Sequence, residues 1–208
     1  MAKPDPKLTQ VTLKNVRLSF PKLFTAEKST PDSKPKFSAA FLIDPESDQG
    51  KDNLRRVLAA IKHVCEAQWS DPERYKKIKA DRVCIGNGDE QMNQQTGEIY
   101  DGYHGMKFVK ASSPENRRPQ LVDRSRRQVA EEDQVFYGGC YVNAVIRIYP
   151  IADQAKGGNG VFASLEAVQF FRDGDAFGAG PIDVDSVFDD LGDDDGFDDA
   201  MGDDDLDI

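Results

Sequence analysis

The sequence has few cysteines and histidines, and none of them form a close pair. There are three Cys and two His in 208 residues. Cys65, Cys84 and Cys140 lie far apart, which argues against a disulfide framework and fits a reducing compartment. Zinc sites usually contain a CxxC or HxxxH pair, and this chain has neither. We therefore expect no metal site, with Cys65 packed in a core and His63 exposed to solvent.

Long apolar runs and catalytic motifs are also missing. No run approaches the roughly 20 apolar residues that span a bilayer, and "MAKPDPKLTQ" lacks the apolar core of a signal peptide. We therefore expect a soluble, cytoplasmic protein with no membrane partner. Phosphate-binding and nucleophile motifs (GxGxxG before a helix, GxxxxGK[ST], GxSxG) do not occur. The sequence thus predicts neither an enzyme nor a cofactor site.

Positive charge is absent from the last 27 residues. Residues 182–208 contain 13 Asp and no Lys or Arg, a formal charge of −13. Because the whole chain carries −10, the preceding residues carry about +3. Gly and Asp dominate after Arg172, which predicts a disordered tail. The expected organisation is a flexible N-terminus at 1–10, one folded domain at 11–173 and a disordered acidic tail at 174–208.

The apolar pattern of the body indicates strands with one long helix. "VTLKNVRLSF" changes its apolar phase, which predicts a strand with a bulge near Lys14 and Asn15. "FSAAFLI", "CYVNAVIRIYP" and "VFASLEAVQFF" are further predicted strands. Apolar residues at steps of 3 and 4 predict a helix from near Asp52 to Trp69. The fold class is mainly β with one packed helical segment (α+β), arranged as a small barrel or a curved sheet with insertions.

Basic and aromatic residues occur together in the second half of the body. "NRRPQLVDRSRR" has a local charge of +4. One face of "CYVNAVIRIYP" is apolar, and the other carries rings and a guanidinium. Aromatic planes that stack bases, beside cations that contact phosphates, suit single-stranded nucleic acid. The alternatives are core packing for each ring and a solvated loop for the arginines. The candidate DNA-binding residues are Lys34, Lys36, Tyr103, Lys107, Phe108, Lys110, Arg117, Arg118, Arg124, Arg126, Arg127, Tyr141, Arg147 and Tyr149.

The acidic tail has two candidate roles beyond that of a solubility tail. A tethered polyanion would compete with DNA phosphate for a cationic groove at an effective concentration up to about the millimolar range. The apolar residues that interrupt the tail could dock on a basic partner protein. The candidate partner-binding residues are Phe197, Asp203, Asp204, Asp205, Leu206, Asp207 and Ile208.

The segments "NVRLSFPKLF", "KPKFSAAFLI" and "FYGGCYVNAVIRIYP", the Trp-ended helix and the acidic tail together resemble a family of bacteriophage single-stranded DNA-binding proteins. The resemblance covers about Val11 to Arg172. It implies an oligonucleotide/oligosaccharide-binding (OB) barrel with extra strands and insertions. It also implies sequence-independent binding during phage replication or recombination, in the cytoplasm of the infected host, and a tail that recruits replication or recombination proteins. Tails of this class often end in an aromatic residue, whereas this one ends "DLDI".

The leading hypothesis is therefore a non-enzymatic single-stranded DNA-binding protein. The alternative is a DNA-mimicking interaction protein whose acidic tail binds a basic host protein, although the arginine cluster argues against it. A nuclease is a third possibility that the lack of a carboxylate or His constellation disfavours. The sequence leaves a homo-oligomer open.

Overall fold

The computed structural model of the chain describes residues 4–178. The helices are α1 (Pro6–Thr9) and α2 (Asp48–Trp69). The strands are β1 (Gln10–Glu27), β2 (Lys36–Ile43), β3 (Ile85–Asn87), β4 (Lys107–Pro114), β5 (Gln120–Val122), β6 (Tyr141–Asp153) and β7 (Gly158–Arg172). Short 3₁₀ turns lie at Arg74–Lys77, Ala80–Arg82, Gly88–Glu90, Glu131–Asp133 and Gln154–Lys156.

Five of these strands close into a barrel. β1 pairs antiparallel with β2 and with β6, β2 pairs with β4, and β6 pairs with β7. One parallel pair, Ser112 with Ser164, joins β4 to β7 and closes the ring. β3 and β5 lie outside the ring, against β4 and β7. This Greek-key ring is the OB arrangement, so the predicted barrel with extra strands is confirmed.

The alternation of side chains along β6 builds one wall of the core. Val142, Ala144, Ile146 and Ile148 are at most 1% exposed, as their spacing predicts. All three cysteines are buried as well, and burial raises the pKa of the Cys84 thiol to about 12. The thiols therefore serve as core packing.

The bulge predicted in β1 is present and is anchored by the helix. Leu13 pairs with Ala144 and Val16 with Val142, so β1 carries one extra residue at Lys14 and Asn15. Asn53 of α2, which is 1% exposed, accepts a hydrogen bond from the Lys14 N–H at 3.0 Å and donates to the Lys14 carbonyl at 2.8 Å. The bulge leaves the Lys14 N–H and carbonyl without strand partners, and the Asn53 amide supplies the hydrogen bonds that they would otherwise lack.

Helix α2 begins four residues earlier than the apolar pattern predicts. Ser47 caps its N-terminus by accepting a hydrogen bond from the Gly50 N–H at 3.0 Å. A side chain at Gly50 would lie 1.7 Å from the Asp44 carbonyl oxygen, so only glycine fits this first turn. The polar first turn buries little apolar surface, which is why periodicity alone missed it.

The folded body is longer at both ends than the predicted 11–173. α1 packs on α2, and the Asp5 N–H donates to His63 Nε2 at 3.1 Å. At the other end, the Phe177 N–H donates to the Gly138 carbonyl at 2.9 Å, and its ring joins a small apolar cluster with Leu42. Both ends are held by contacts that local composition does not reveal. The predicted partner-binding residues of the tail lie outside the described residues.

No helix within residues 4–178 is long and apolar enough to cross a membrane.

Candidate nucleic-acid interface

A continuous outer face runs across β2, β4, β7 and β6, because every second side chain of each strand points away from the core. A depression of about 300 Å³ lies on this face. We call it the central depression. Two aromatic rings border the depression, Phe20 from β1 and Phe162 from β7. Because β1 lies beside β2 and β7 lies beside β4, the two rings are on opposite sides of it. The residues that line it include Phe20, Lys36, Ser38, Ala40, Lys110, Ser112 and Phe162.

Phe20 is turned outward by a second bulge in β1. Ser19 pairs with Ala40 and Lys22 with Ser38, so one extra residue lies between them. Phe20 adopts a positive φ of 46°, which is rare for a bulky residue. Its side chain is 52% exposed, and its ring edge meets the Tyr100 ring at 4.9 Å between centroids. The backbone therefore holds an apolar ring in solvent at the border of the central depression.

Phe162 forms a second aromatic surface with Tyr149. The two residues are cross-strand neighbours with ring centroids 6.0 Å apart. Phe162 also lies over the backbone of Gly160, where an added Cβ would come 2.3 Å from the ring atom Cε2. Tyr149 is 38% exposed, and burial of part of its ring raises the pKa of its hydroxyl. The two rings, tilted by 34°, thus form an apolar surface that is partly open to a planar ligand.

Arg82 fixes the turn beside this surface. Its guanidinium donates to three backbone carbonyls of the β6–β7 connection, at 2.9 Å to Asn159 and at 3.0 Å to Lys156 and Gly158. The same guanidinium lies 5.3 Å from the centroid of Phe162. Arg82 therefore orients both the turn and the ring.

Two lysines border the central depression on adjacent strands. Lys36 begins β2, and Lys110 lies in the middle of β4. The Lys110 ammonium donates to Gln91 Oε1 at 2.9 Å and lies 4.8 Å from the Phe108 ring centroid. Burial lowers the pKa of Lys110 from its ordinary value of 10.5. Asp81 is an acidic residue in the same lining.

Two arginines extend the positive charge over β7 and β6. Arg117 donates to Ser164 Oγ, and one of its nitrogens lies 3.5 Å from Glu166 Oε1. Arg147 donates to the Pro6 carbonyl at 3.2 Å, and its Nε lies 3.7 Å from the same oxygen of Glu166. The structure thus brings together Lys36, Lys110, Arg117, Arg147 and Tyr149 from the predicted set.

Two aromatic candidates are buried and cannot stack a base in this conformation. Tyr103 is 1% exposed and Phe108 is 4% exposed, and both pack on Leu42 in a second apolar cluster. Burial accordingly raises the pKa of the Tyr103 hydroxyl. Ile99, Tyr100 and Phe177 pack against this cluster. We therefore remove Tyr103 and Phe108 from the stacking residues.

The arginine cluster of the sequence is divided in the structure. Arg118 lies over the Phe24 ring at 5.6 Å, in a separate depression. Arg124, Arg126 and Arg127 are exposed on the tight turn after β5, where Arg127 pairs with Asp123 at 2.9 Å. Only Arg117 reaches the central part of the outer face. The tight turn separates residues that are neighbours in sequence.

Three further candidates lie at the margins. Tyr141 is at the opposite end of β6 from Tyr149, with the Arg172 guanidinium 3.4 Å from its ring centroid. The Lys107 ammonium donates to Asn87 Oδ1 at 3.2 Å. Lys34 is exposed in the β1–β2 connection. They remain predictions for the ends of a longer binding path.

Sequence reasoning missed Phe20, Phe162 and Arg82. Phe20 precedes Pro21, and a proline within a strand is a signal for a bulge. Phe162 is in a predicted strand whose register could not be assigned, since a shift of one residue exchanges the faces. Arg82 acts through long-range carbonyl contacts, for which the sequence holds no signal.

Comparison with known proteins identifies the family. A family model described as "Enterobacter phage Enc34, ssDNA-binding protein" matches residues 9–200. The chain belongs to this family. A relative of this chain, protein p50 of Acyrthosiphon pisum secondary endosymbiont phage 1, is 37% identical over 187 residues, covering 88% of this chain and 94% of that protein.

Solved structures agree on the fold. The single-stranded DNA-binding protein of bacteriophage Enc34, in complex with single-stranded DNA, superposes with a TM-score of 0.67 at 23% identity, covering 85% of this chain and 97% of that one. Protein gp2.5 of bacteriophage T7, a single-stranded DNA-binding protein, gives a TM-score of 0.50 at 14% identity, covering 88% and 96%. The Enc34 family is a non-enzymatic binding family, as the sequence predicted.

Proposed function

We propose that this chain binds single-stranded DNA without sequence preference along its outer face. The observation that carries the proposal is the central depression, which has small side chains on β2 and β4, an aromatic ring at either side and lysines at its border. Phe20, Phe162 and Tyr149 would stack bases. Lys36, Lys110, Arg117 and Arg147 would contact phosphates. Such contacts track the backbone and read no base edges.

The geometry favours single strands over duplexes. An exposed ring gains from stacking only where a base face is free, and bases within a duplex are already stacked. The β1–β2 and β6–β7 connections border the same face, as in OB proteins that bind oligonucleotides. Family membership supports a role in phage replication or recombination, in the cytoplasm of the infected host.

The acidic tail would compete with DNA and recruit partner proteins. The charge of −13 on residues 182–208 opposes a face that carries several cations. Phe177 and Gly178, the last described residues, border a depression that also includes Phe20. A chain that leaves the body there starts beside the proposed DNA path, which supports competition at high effective concentration. The apolar tip with Leu206 and Ile208 would dock on a basic partner protein.

The test is fluorescence anisotropy of a labelled oligo-dT and of a duplex of equal length across a salt series. We expect tighter binding of the single strand. If the four cations of the outer face each neutralise one phosphate, log K falls with log[salt] at a slope of about −3. A flat salt response, or equal affinity for the duplex, would contradict the proposal.

The tail is tested in the same assay with the chain ended at Pro181. Removal of Ile182–Ile208 should tighten DNA binding, most strongly at low salt, where the charges of the tail are least screened. Weaker binding after truncation would show that the tail assists DNA binding and would rule out competition.

A further inference from the structure

Glu166 lies between the two arginines of the outer face. Its Oε1 is 3.5 Å from an Arg117 nitrogen and 3.7 Å from Arg147 Nε. The same oxygen is buried and accepts no hydrogen bond from any described residue. Both distances are too long for good hydrogen bonds, although charge attraction acts at this range. Charge attraction thus holds the carboxylate between two guanidinium groups, although it forms no good hydrogen bond with either of them.

A bulge in β7 places this carboxylate. Val145 pairs with Ala167, whereas the next residue, Ile146, pairs with Leu165, so Glu166 is the extra residue of β7. Leu165 and Val168 point into the core at 1% and 0% exposure. The two residues between them, Glu166 and Ala167, therefore both face outward. Bulges commonly redirect a side chain beside a functional site.

The side chains around Glu166 suit a phosphodiester. Arg117 also donates to Ser164 Oγ, and Arg147 to the Pro6 carbonyl and Gln10 Oε1, so both guanidinium groups are oriented by other contacts. A phosphate presents two charged oxygens and can accept hydrogen bonds from two guanidinium groups at once. A single carboxylate oxygen at 3.5 and 3.7 Å does this poorly.

We propose that Glu166 stands in for a DNA phosphate between Arg117 and Arg147 and is displaced when single-stranded DNA binds. This inference rests on the proposed function. In the free protein, the carboxylate offsets the repulsion between the two guanidinium groups. On binding, a phosphate of the strand takes this position and the Glu166 side chain turns away. Glu166 therefore lowers the affinity for DNA, and the negative charge of its carboxylate determines the size of this decrease.

The test compares Glu166→Gln with Glu66→Gln in the full chain, by oligo-dT anisotropy at low salt. Glu66 is exposed on α2, so its substitution removes one negative charge away from β7. We expect Glu166→Gln to tighten binding by about 2- to 5-fold, the upper part of the range for a partly exposed charge pair. Glu66→Gln should change the affinity by less than about 2-fold, because the Glu66 carboxylate is exposed on α2 and its charge acts only through water.

A double-mutant cycle with Arg117→Gln tests the specific contact. Arg117 loses an interaction with Glu166 when DNA binds, so its removal costs less in the wild type than in the Glu166→Gln background. Additive effects would overturn the inference. So would binding by Glu166→Gln that is equal to or weaker than that of Glu66→Gln, since Glu166 would then only orient the arginines. If the wild type fails to bind oligo-dT at all, the proposed function falls as well.

Discussion

Gly160→Ala should weaken DNA binding although it changes no charge. Gly160 has no positive φ, so alanine suits its backbone and the only cost is steric. The new Cβ would lie 2.3 Å from Cε2 and 2.7 Å from Cζ of Phe162. Carbon atoms in contact prefer about 3.5–4.0 Å, so the ring edge must move by at least about 1 Å. That shift tilts the aromatic surface shared with Tyr149.

The magnitude follows from base stacking. Loss of one stacked base costs about 1–3 kcal/mol, or roughly 5- to 150-fold in affinity. Because the ring of Phe162 is displaced and not removed, we expect the lower part of this range, about 5- to 20-fold. The slope of log K against log[salt] should stay unchanged, since no phosphate contact is lost.

The assay is anisotropy with oligo-dT, and the control is Gly97→Ala. Gly97 has a φ of +75° and no atom within 4 Å of an added Cβ, so alanine there strains the backbone without displacing a ring. Both variants are first checked by thermal unfolding. If folded Gly160→Ala binds as tightly as the wild type, Phe162 does not stack a base and the proposed path across β7 is wrong.

Two further predictions concern Lys110 and Asn53. Because burial lowers the pKa of Lys110, its ammonium loses its proton at a lower pH than an ordinary lysine does. The arginine in Lys110→Arg stays protonated. As the pH is raised, the affinity of the wild type for oligo-dA should therefore fall at a lower pH than that of Lys110→Arg. Identical pH profiles would exclude Lys110 from phosphate contact. Asn53→Ala should lower the free energy of unfolding by about 1–3 kcal/mol in urea titrations, because the Lys14 N–H and carbonyl lose their partners. An unchanged midpoint would mean that water replaces the Asn53 amide.

The core of the barrel could be predicted from local patterns. The alternation of β6 identified its buried residues, and the change of apolar phase in β1 located the bulge at Lys14 and Asn15. Both patterns can be read from the sequence because each strand buries one face along its whole length. The apolar pattern of a single strand is therefore enough to identify its buried residues. The OB arrangement of the barrel was implied only by the family resemblance, and the order of the strands in the ring was not predicted.

The exposed site could not be predicted in the same way. Tyr103 and Phe20 are both aromatic residues near glycine or proline, yet one is 1% exposed and the other 52% exposed. Tyr103 is buried because it packs on Leu42 and Phe177, and Phe20 is exposed because a bulge turns it outward. Both causes depend on contacts between residues that are distant in sequence. Likewise, Arg117 and Arg118 are adjacent, but opposite directions of their side chains send only one to the outer face.

The position of β1 in the ring has a consequence for synthesis of the chain. One edge of β1 pairs with β2, which is synthesised soon afterwards. The other edge can pair only after β6 has been synthesised, as Thr12 pairs with Val145. The roughly 100 residues between β2 and β6 take about 5–20 s to translate at about 5–20 residues per second. During this interval the edge of β1 has unpaired backbone N–H and C=O groups, and Leu13 and Val16 lack their β6 neighbours Ala144 and Val142. The nascent chain therefore carries an open, apolar strand edge that only the completed body can cover.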